Sequence, residues 1–310
     1  MDLSIEGQMV AVLSHIFASR TELPVGIGDD AAVLPISTSH SVVCADMAVE
    51  GVHFKREWSS LAQIGAKVTA ANLADIYAMG AHPKYLVVTA ALPKDFGVNE
   101  ITELAQGIKA EADLVGAVVV GGDLSSSPVL TISITAIGEL PVGAKAITRS
   151  GAHVGDQIIL SELPGKSAAG LAALQAGATT KFLGDHQKPK VGYVSAELFA
   201  QSQVNSMIDI SDGLLSEAAH IAKASGVQLE IDSKLLAAVP LFAELSEAAN
   251  LLKASVWEWI LAGGEDHVFL ATTSTDIPDG AIVIGSVVTG KGVEVLGVST
   301  PATSGWTHFN

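Results

Sequence analysis

One cysteine, Cys44, in 310 residues excludes an intrachain disulfide framework and a thiolate zinc site, and it suits a reducing compartment. Basic residues are also scarce: 17 Lys and Arg stand against 33 Asp and Glu, a net charge of −16. Nucleic acids and anionic membranes are gripped by basic patches, so neither is an expected partner. A polyanionic substrate would need metal ions or local basic residues to approach this surface. No apolar run reaches about 18 residues without a charge or glycine, so no membrane span is expected. The polar start Met1-Asp2-Leu3-Ser4-Ile5-Glu6 does not read as a signal peptide. Two nucleotide motifs are missing as well. Gly165-Lys166-Ser167 follows a strand, but a P-loop needs glycine at position 160, which is Leu160, and no G-x-G-x-x-G stands in the right context.

What is present is an Ala/Gly-rich chain, 49% hydrophobic with 30 glycines. That is enough for a large core and two domains, and it reads as a soluble cytoplasmic enzyme. Apolar spacing predicts helices over 5–19, 59–80, 100–113, 167–176, 191–201, 214–225 and 241–261. Ser59 or Ser60 would cap the second and Gly80 stop it. Strands are predicted over 41–46, 84–92, 117–120, 129–140, 157–161, 204–210, 227–231, 267–273, 281–288 and 292–296, with a loop over 177–190. Pro141, three glycines, Lys145 and Arg149 cluster over 141–155, which sets the expected boundary: domains 1–140 and 141–310. Strands and helices alternate without a strict βαβ rhythm, so the fold class is α+β or mixed α/β.

The acidic residues gather in short runs: Gly28-Asp29-Asp30, Asp46, Asn72-Leu73-Ala74-Asp75, Gly121-Gly122-Asp123, Asp209-Ile210-Ser211-Asp212-Gly213 and Gly263-Gly264-Glu265-Asp266. Each lies beside glycine or at the end of an apolar run, where strands are expected to stop. Carboxylates about 4 Å apart repel by on the order of 4 kcal/mol at an effective dielectric near 20. Gathered at one mouth, they would stay partly protonated or hold hard cations. At neutral pH, oxygen-ligated magnesium is the expected answer, and magnesium brings phosphate. Each run also has a plain structural reading: Asp and Gly favour turns, Asp212 suits a helix N-cap, and Glu265 and Asp266 could only close a turn.

A longer ordered set carries a resemblance. It comprises Gly26-Ile27-Gly28-Asp29-Asp30-Ala31-Ala32-Val33-Leu34, Asp46 with Val49-Glu50-Gly51-Val52-His53-Phe54, and Asn72-Leu73-Ala74-Asp75 continuing to Gly80-Ala81-His82-Pro83. Gly121-Gly122-Asp123, Thr148-Arg149-Ser150-Gly151-Ala152, Gly155-Asp156 and Ser167-Ala168-Ala169-Gly170-Leu171 follow. Ile208-Asp209-Ile210-Ser211-Asp212-Gly213-Leu214, Gly263-Gly264-Glu265-Asp266 and Gly305-Trp306-Thr307-His308-Phe309 complete it. In this order they resemble the thiamine-monophosphate kinase family of the aminoimidazole-ribonucleotide synthetase-like superfamily.

The resemblance implies an N-terminal α+β domain whose sheet forms a barrel with that of a dimer mate, and a C-terminal α/β domain completing the substrate cleft. It implies a homodimer that phosphorylates thiamine monophosphate with ATP, using several magnesium ions and no protein nucleophile. Carried over by position, Asp30, Asp46, Asp75, Asp123, Asp209 and Asp212 would ligate magnesium. Gly122, Asp123, Arg149 and Ser211 would meet ATP, and His53, Glu265 and Trp306 would meet thiamine monophosphate. The chain departs from the family pattern at Cys44-Ala45-Asp46-Met47, where hydroxyl residues are usual, and at Leu124, His267 and Thr307. Rival readings are another ATP-dependent enzyme of the superfamily, such as a selenophosphate synthetase or a hydrogenase-maturation protein, or a non-catalytic binder of nucleotide or thiamine phosphate. The position of the lone Cys44 disfavours the two named enzymes.

Overall fold

Ser60 opens the longest helix with a reciprocal cap. Its hydroxyl accepts from the Gln63 N–H at 3.2 Å, and the Gln63 side chain accepts from the Ser60 N–H at 2.9 Å, the capping-box arrangement. The helix ends where Gly80 takes a left-handed φ of 72°. It belongs to a computed structural model that describes residues 5–17, 38–274, 276–301 and 305. Asp30, with the rest of the 26–34 run, and Trp306 lie outside the described residues.

The chain divides into two units, Met1–Ile76 with Ala81–Ala144 and Tyr77–Gly80 with Lys145–Asn310. The first holds α1 (Ile5–Phe17), β1 (Ser41–Val49), most of α2 (Leu61–Ala78), β2 (His82–Leu92), α3 (Val98–Asp113), β3 (Val118–Ser126) and β4 (Thr131–Glu139). Its sheet has the order β1-β4-β2-β3, with only β2 and β3 parallel. β4 shows the period-two signature of a sheet with one covered face: Ile132, Ile134 and Ala136 are fully buried, and the residues between them are partly exposed. Ile64, Leu73 and Ile76 of α2 and Leu104 and Ile108 of α3 are buried too, and Ile76 lies over Gly138.

Two strands run further than the sequence predicts. β1 continues to Val49, so Asp46 is in mid-strand. β3 continues through Gly121-Gly122-Asp123 to Ser126. These glycines do not end the strand. Gly122 is the Cα partner of Val88 on β2, and a Cβ there would fall 1.9 Å from the Val88 carbonyl oxygen.

The second unit contains β5 (Gln157–Leu160), α4 (Lys166–Ala176), α5 (Leu183–Gln187), α6 (Tyr193–Gln201), β6 (Ser206–Asp209), α7 (Leu214–Ser225) and β7 (Gln228–Asp232). After these come α8 (Ser233–Ala237), α9 (Pro240–Leu252), α10 (Val256–Ala262), β8 (Phe269–Thr273), β9 (Ile282–Val288) and β10 (Gly292–Leu296). The six-stranded sheet has the order β10-β7-β9-β5-β8-β6, antiparallel except for β10–β7. Every residue of β8 is buried, and Ile158, Leu160, Ile208, Leu214, Ile221, Leu229, Ile260, Leu270 and Ile284 share one core. Two expectations are corrected here. The 177–190 loop contains the short helix α5. The single helix over 241–261 is two, because Lys253 adopts φ 54° after α9 and the Ser255 hydroxyl caps α10 through the Glu258 N–H. Among the described residues, no helix is long and apolar enough to cross a membrane.

Candidate active site

In the first unit, a buried asparagine pins the strand edge. Asn72 donates its side-chain amide to Val68 O at 2.9 Å and accepts from the Asp46 N–H at 3.0 Å, while the Cys44 thiol lies 3.4 Å from Asn72 O. An edge strand presents N–H groups with no sheet partner, and Asn72 satisfies this one. The arrangement brings Asp46 and Asp75 together around Cys44. Burial, then the charges of Asp75 and Asp46, push the Cys44 thiol well above its ordinary range, so it stays protonated and unreactive. His53 follows β1 in a turn made by Gly51 at φ 86°. Its Nδ1 accepts from the Val49 N–H at 3.0 Å, so the neutral ring carries its proton on Nε2. Arg56 ties this turn down through Glu50 at 2.8 Å and Asp95 at 2.9 Å.

Asp123 is exposed on β3 with Thr89 as its Cα partner. The row Asp46, Ile134, Val88, Gly122 crosses the sheet, so strand alternation points Asp123 to the face opposite Asp46. Among the described residues β1 and β3 are the two edges, three strand spacings or roughly 14 Å apart. Within one chain Asp46 and Asp75 therefore both act on Cys44, and Asp123 lies apart from them.

In the second unit, β6 ends at Asp209, and Gly213 at φ 121°, not Asp212, is the N-cap of α7. The turn Gly263-Gly264-Glu265-Asp266-His267 packs against this loop. The Glu265 N–H donates to Ser211 O at 2.7 Å, and the His267 N–H to Ile210 O at 2.9 Å. Glu265 and His267 hold left-handed φ values of 63° and 51°, at a cost of order 1 kcal/mol or more each, which persists only where the surroundings over-determine the backbone. The three side chains diverge. Glu265 Oε2 lies 3.5 Å from His186 Nδ1, which is also 3.1 Å from the Ser167 hydroxyl. Asp266 accepts from the Gly165 N–H at 2.6 Å and the Ser167 N–H at 2.9 Å. His267 Nδ1 lies 2.9 Å from Asp209 Oδ2. The helix start at Gly165-Lys166-Ser167 is thus already occupied by a carboxylate of the chain, which rules out a P-loop on geometry as well as spacing. Burial pushes Asp266 up to about 6.

One group escaped the sequence reading. Glu217, one turn into α7, is 3% exposed. Burial first, then the charges of Asp209 and Asp212, push it up to about 7, against the opposing pull of Arg149 and a backbone hydrogen bond from Asp212. Arg149 is steadied by its own carbonyl, which accepts from the Ser225 hydroxyl at 3.0 Å. Glu217 shares its helix face with Leu214 and Ile221, and a carboxylate on an apolar face was the available signal.

The raised value has a sign. Glu217 titrates at about 7 folded against an ordinary 4.5, so the folded state holds the proton longer. Its stabilising contribution is complete below about pH 4.5 and is lost as pH rises through about 7. Glu217→Gln in the cation-free protein should flatten the unfolding free energy between about pH 5 and pH 8, and raise it at the alkaline end by up to about 3 kcal/mol. Urea titrations across that range check this, and curves parallel to wild type would contradict it.

Among the described residues, no three His, Cys, Asp or Glu side chains converge tightly enough to hold an ion by themselves. The carboxylates that could offer oxygens to a cation are Asp46 and Asp75 in one unit and Asp209, Asp212 and Glu217 in the other. This fits a hard cation that takes one or two carboxylates and completes its shell with phosphate oxygens and water. Burial is the main reason Glu217 holds its proton, and the neighbouring charges of Asp209 and Asp212 add to it.

Residues 28–140 match the family described as AIR synthase related protein, N-terminal domain, and residues 153–297 match AIR synthase related protein, C-terminal domain. The chain is 37% identical over 305 residues to the thiamine-monophosphate kinase of Mycobacterium tuberculosis (strain ATCC 25618 / H37Rv), covering 96% of this chain and 91% of that one. The solved structure of thiamine-monophosphate kinase from Stenotrophomonas maltophilia K279a superposes with a TM-score of 0.79 at 30% identity, over 94% of this chain and 96% of that one. AaThiL complexed with AMPPCP and TMP superposes with a TM-score of 0.79 at 28% identity, over 100% of both chains. The chain has the two-domain AIR synthase-like fold of mixed α/β content, and it belongs to the thiamine-monophosphate kinase family.

Proposed function

We propose that this chain phosphorylates thiamine monophosphate with ATP, giving thiamine diphosphate and ADP by direct in-line transfer. The observation that carries the reading is the 37% identity to a thiamine-monophosphate kinase sustained over 305 residues. A phosphate monoester is itself a competent nucleophile, so the protein's task is to position two polyanions and offset their charge. Magnesium ions, when bound, would neutralise charge on the transferring phosphoryl group. Asp30, Asp46, Asp75 and Asp123 of the first unit and Asp209 and Asp212 of the second are the proposed ligands. Since Asp46 and Asp123 do not meet within a chain, they would serve separate ions. Arg149 would contact ATP phosphates through its forked guanidinium, and Gly122 would admit the nucleotide to the β3 backbone. Ser211 would donate its hydroxyl to ATP. The His53 Nε2–H, Glu265 and Trp306 would hold thiamine monophosphate.

Among the described residues the first unit's sheet is open, with β1 and β3 at its edges. On β1, Val43 and Met47 are 61% and 58% exposed and share the face away from Cys44 and Asp46. Edge strands with no further sheet partner among the described residues, and exposed apolar side chains, support pairing with the sheet of a second copy, as a barrel across a homodimer.

The test is purified chain with magnesium, ATP and thiamine monophosphate, followed for equimolar ADP and thiamine diphosphate. Sedimentation of the same preparation should give twice the chain mass. Nucleotide binding without product would sink the kinase reading and leave a non-catalytic binder, and a monomer would remove the barrel.

A further inference from the structure

We propose that His267 is a positioning residue: its Nδ1–H holds one carboxylate oxygen of Asp209 and reserves the other for a cation carrying nucleotide phosphate. This rests on the assignment of Asp209 as a cation ligand made above.

The geometry is a two-point clamp. The His267 backbone N–H donates to the carbonyl of Ile210 at 2.9 Å, and its side chain reaches Asp209 Oδ2 at 2.9 Å. One residue therefore fixes both the end of β6 and the carboxylate it carries. His267 is 6% exposed and Asp209 4%, so water competes little for the bond. An ionised carboxylate only accepts, so Nδ1 is the donor and the bond is charge-assisted. The backbone supports the same conclusion. His267 holds φ 51°, a region that a side chain enters at a cost. Glycine would remove that cost, yet the chain places a ring there, aimed at a carboxylate. Glu217 is close enough to feel the charge of Asp209, so the Asp209 carboxylate sits in acidic surroundings where a tether on one oxygen keeps its orientation. A donor on one oxygen fixes its orientation and makes it a one-oxygen ligand, as outer hydrogen bonds do for metal-binding side chains.

Three substitutions separate positioning from packing. His267→Asn offers an amide N–H where Nδ1–H was and tolerates a left-handed φ. His267→Gly relaxes the backbone but has no donor. His267→Phe keeps the ring but has no donor. Manganese binding with a non-hydrolysable ATP analogue, followed by electron paramagnetic resonance, is read on each variant with its near-ultraviolet circular dichroism. The glycine and phenylalanine variants should bind manganese about 10- to 100-fold more weakly, while the asparagine variant stays close to wild type. In turnover, the magnesium concentration for half-maximal rate should rise while the KM for thiamine monophosphate holds. Adding His267→Gly to Asp209→Asn should cost little further affinity, because the two act as one unit. Manganese affinity unchanged in the glycine and phenylalanine variants would overturn the proposal. So would full additivity with Asp209→Asn, or a loss in phenylalanine alone, which would assign the effect to backbone strain. Should the glycine variant fail to fold, the asparagine–phenylalanine contrast decides the matter. A wild-type protein that makes no thiamine diphosphate would refute the kinase reading, while the manganese measurement would still report on His267.

Discussion

Asp75→Asn is expected to lower kcat by about 10³-fold while leaving the metal-free fold at least as stable as wild type. Asp75 lies one turn beyond Asn72 on α2 and acts, with Asp46, on the Cys44 thiol. Two carboxylates acting on one group repel each other, so removing one charge relieves that repulsion in metal-free protein. Asparagine keeps an oxygen that can accept from the Cys44 thiol, so the contact between β1 and α2 survives. What it lacks is the charge a magnesium ion needs. A cation contributes several kcal/mol of charge stabilisation at the transition state, and about 1.4 kcal/mol is tenfold in rate, so losing a ligand reaches three decades. Steady-state assays beside thermal melts of the metal-free protein check both halves. Near-normal turnover would remove Asp75 from the ligand set. An activity loss matched by a drop in melting temperature would make it a structural residue.

Much of this was legible in the sequence because the signals were local. Ser60 and Gly80 bracket α2 by capping chemistry, so Asn72 and Asp75, three apart, could be placed on one helix face before any contact was known. The order of the acidic runs identified the family. What stayed hidden depends on contacts distant in sequence or on elements too short to show a period. Asp209 and His267 are 58 residues apart, and nothing in either segment names the other. His186 sits on the five-residue helix α5, too short for apolar spacing to distinguish from a loop. Asp266 reads as a turn acid and instead caps the start of α4, 99 and 101 residues away. Glycine was the most misleading letter. Gly121-Gly122 reads as the end of a strand, whereas the structure uses it to pass a neighbouring carbonyl.

Those adjacent glycines give the second large effect, and they should respond with opposite signs. At Gly121 a new Cβ meets nothing within 4 Å. Gly121→Ala therefore restricts the unfolded chain without straining the folded one, a gain of about 0.4–1 kcal/mol. At Gly122 the same methyl would lie 1.9 Å from the Val88 carbonyl oxygen and 2.8 Å from its carbon. The obstacle is backbone, so no rotamer change relieves it, and β3 must move off β2. Overpacking costs typically 1–3 kcal/mol, and an obstacle that cannot rotate away puts this case at the upper end, about 3 kcal/mol. In a unit of this size that is on the order of 10 °C in melting temperature. Beyond Gly122 the parallel pairing carries Asp123, Leu124, Ser125 and Ser126 alongside Thr89 to Leu92, so the displacement moves Asp123 with it. Turnover by Gly122→Ala should consequently fall even at temperatures where the protein remains folded, whereas Gly121→Ala keeps its rate. Melting curves and assays on the two single variants decide it. Equal tolerance at both positions would mean that β3 has room to shift, and that Gly122 is not held to glycine by its neighbour.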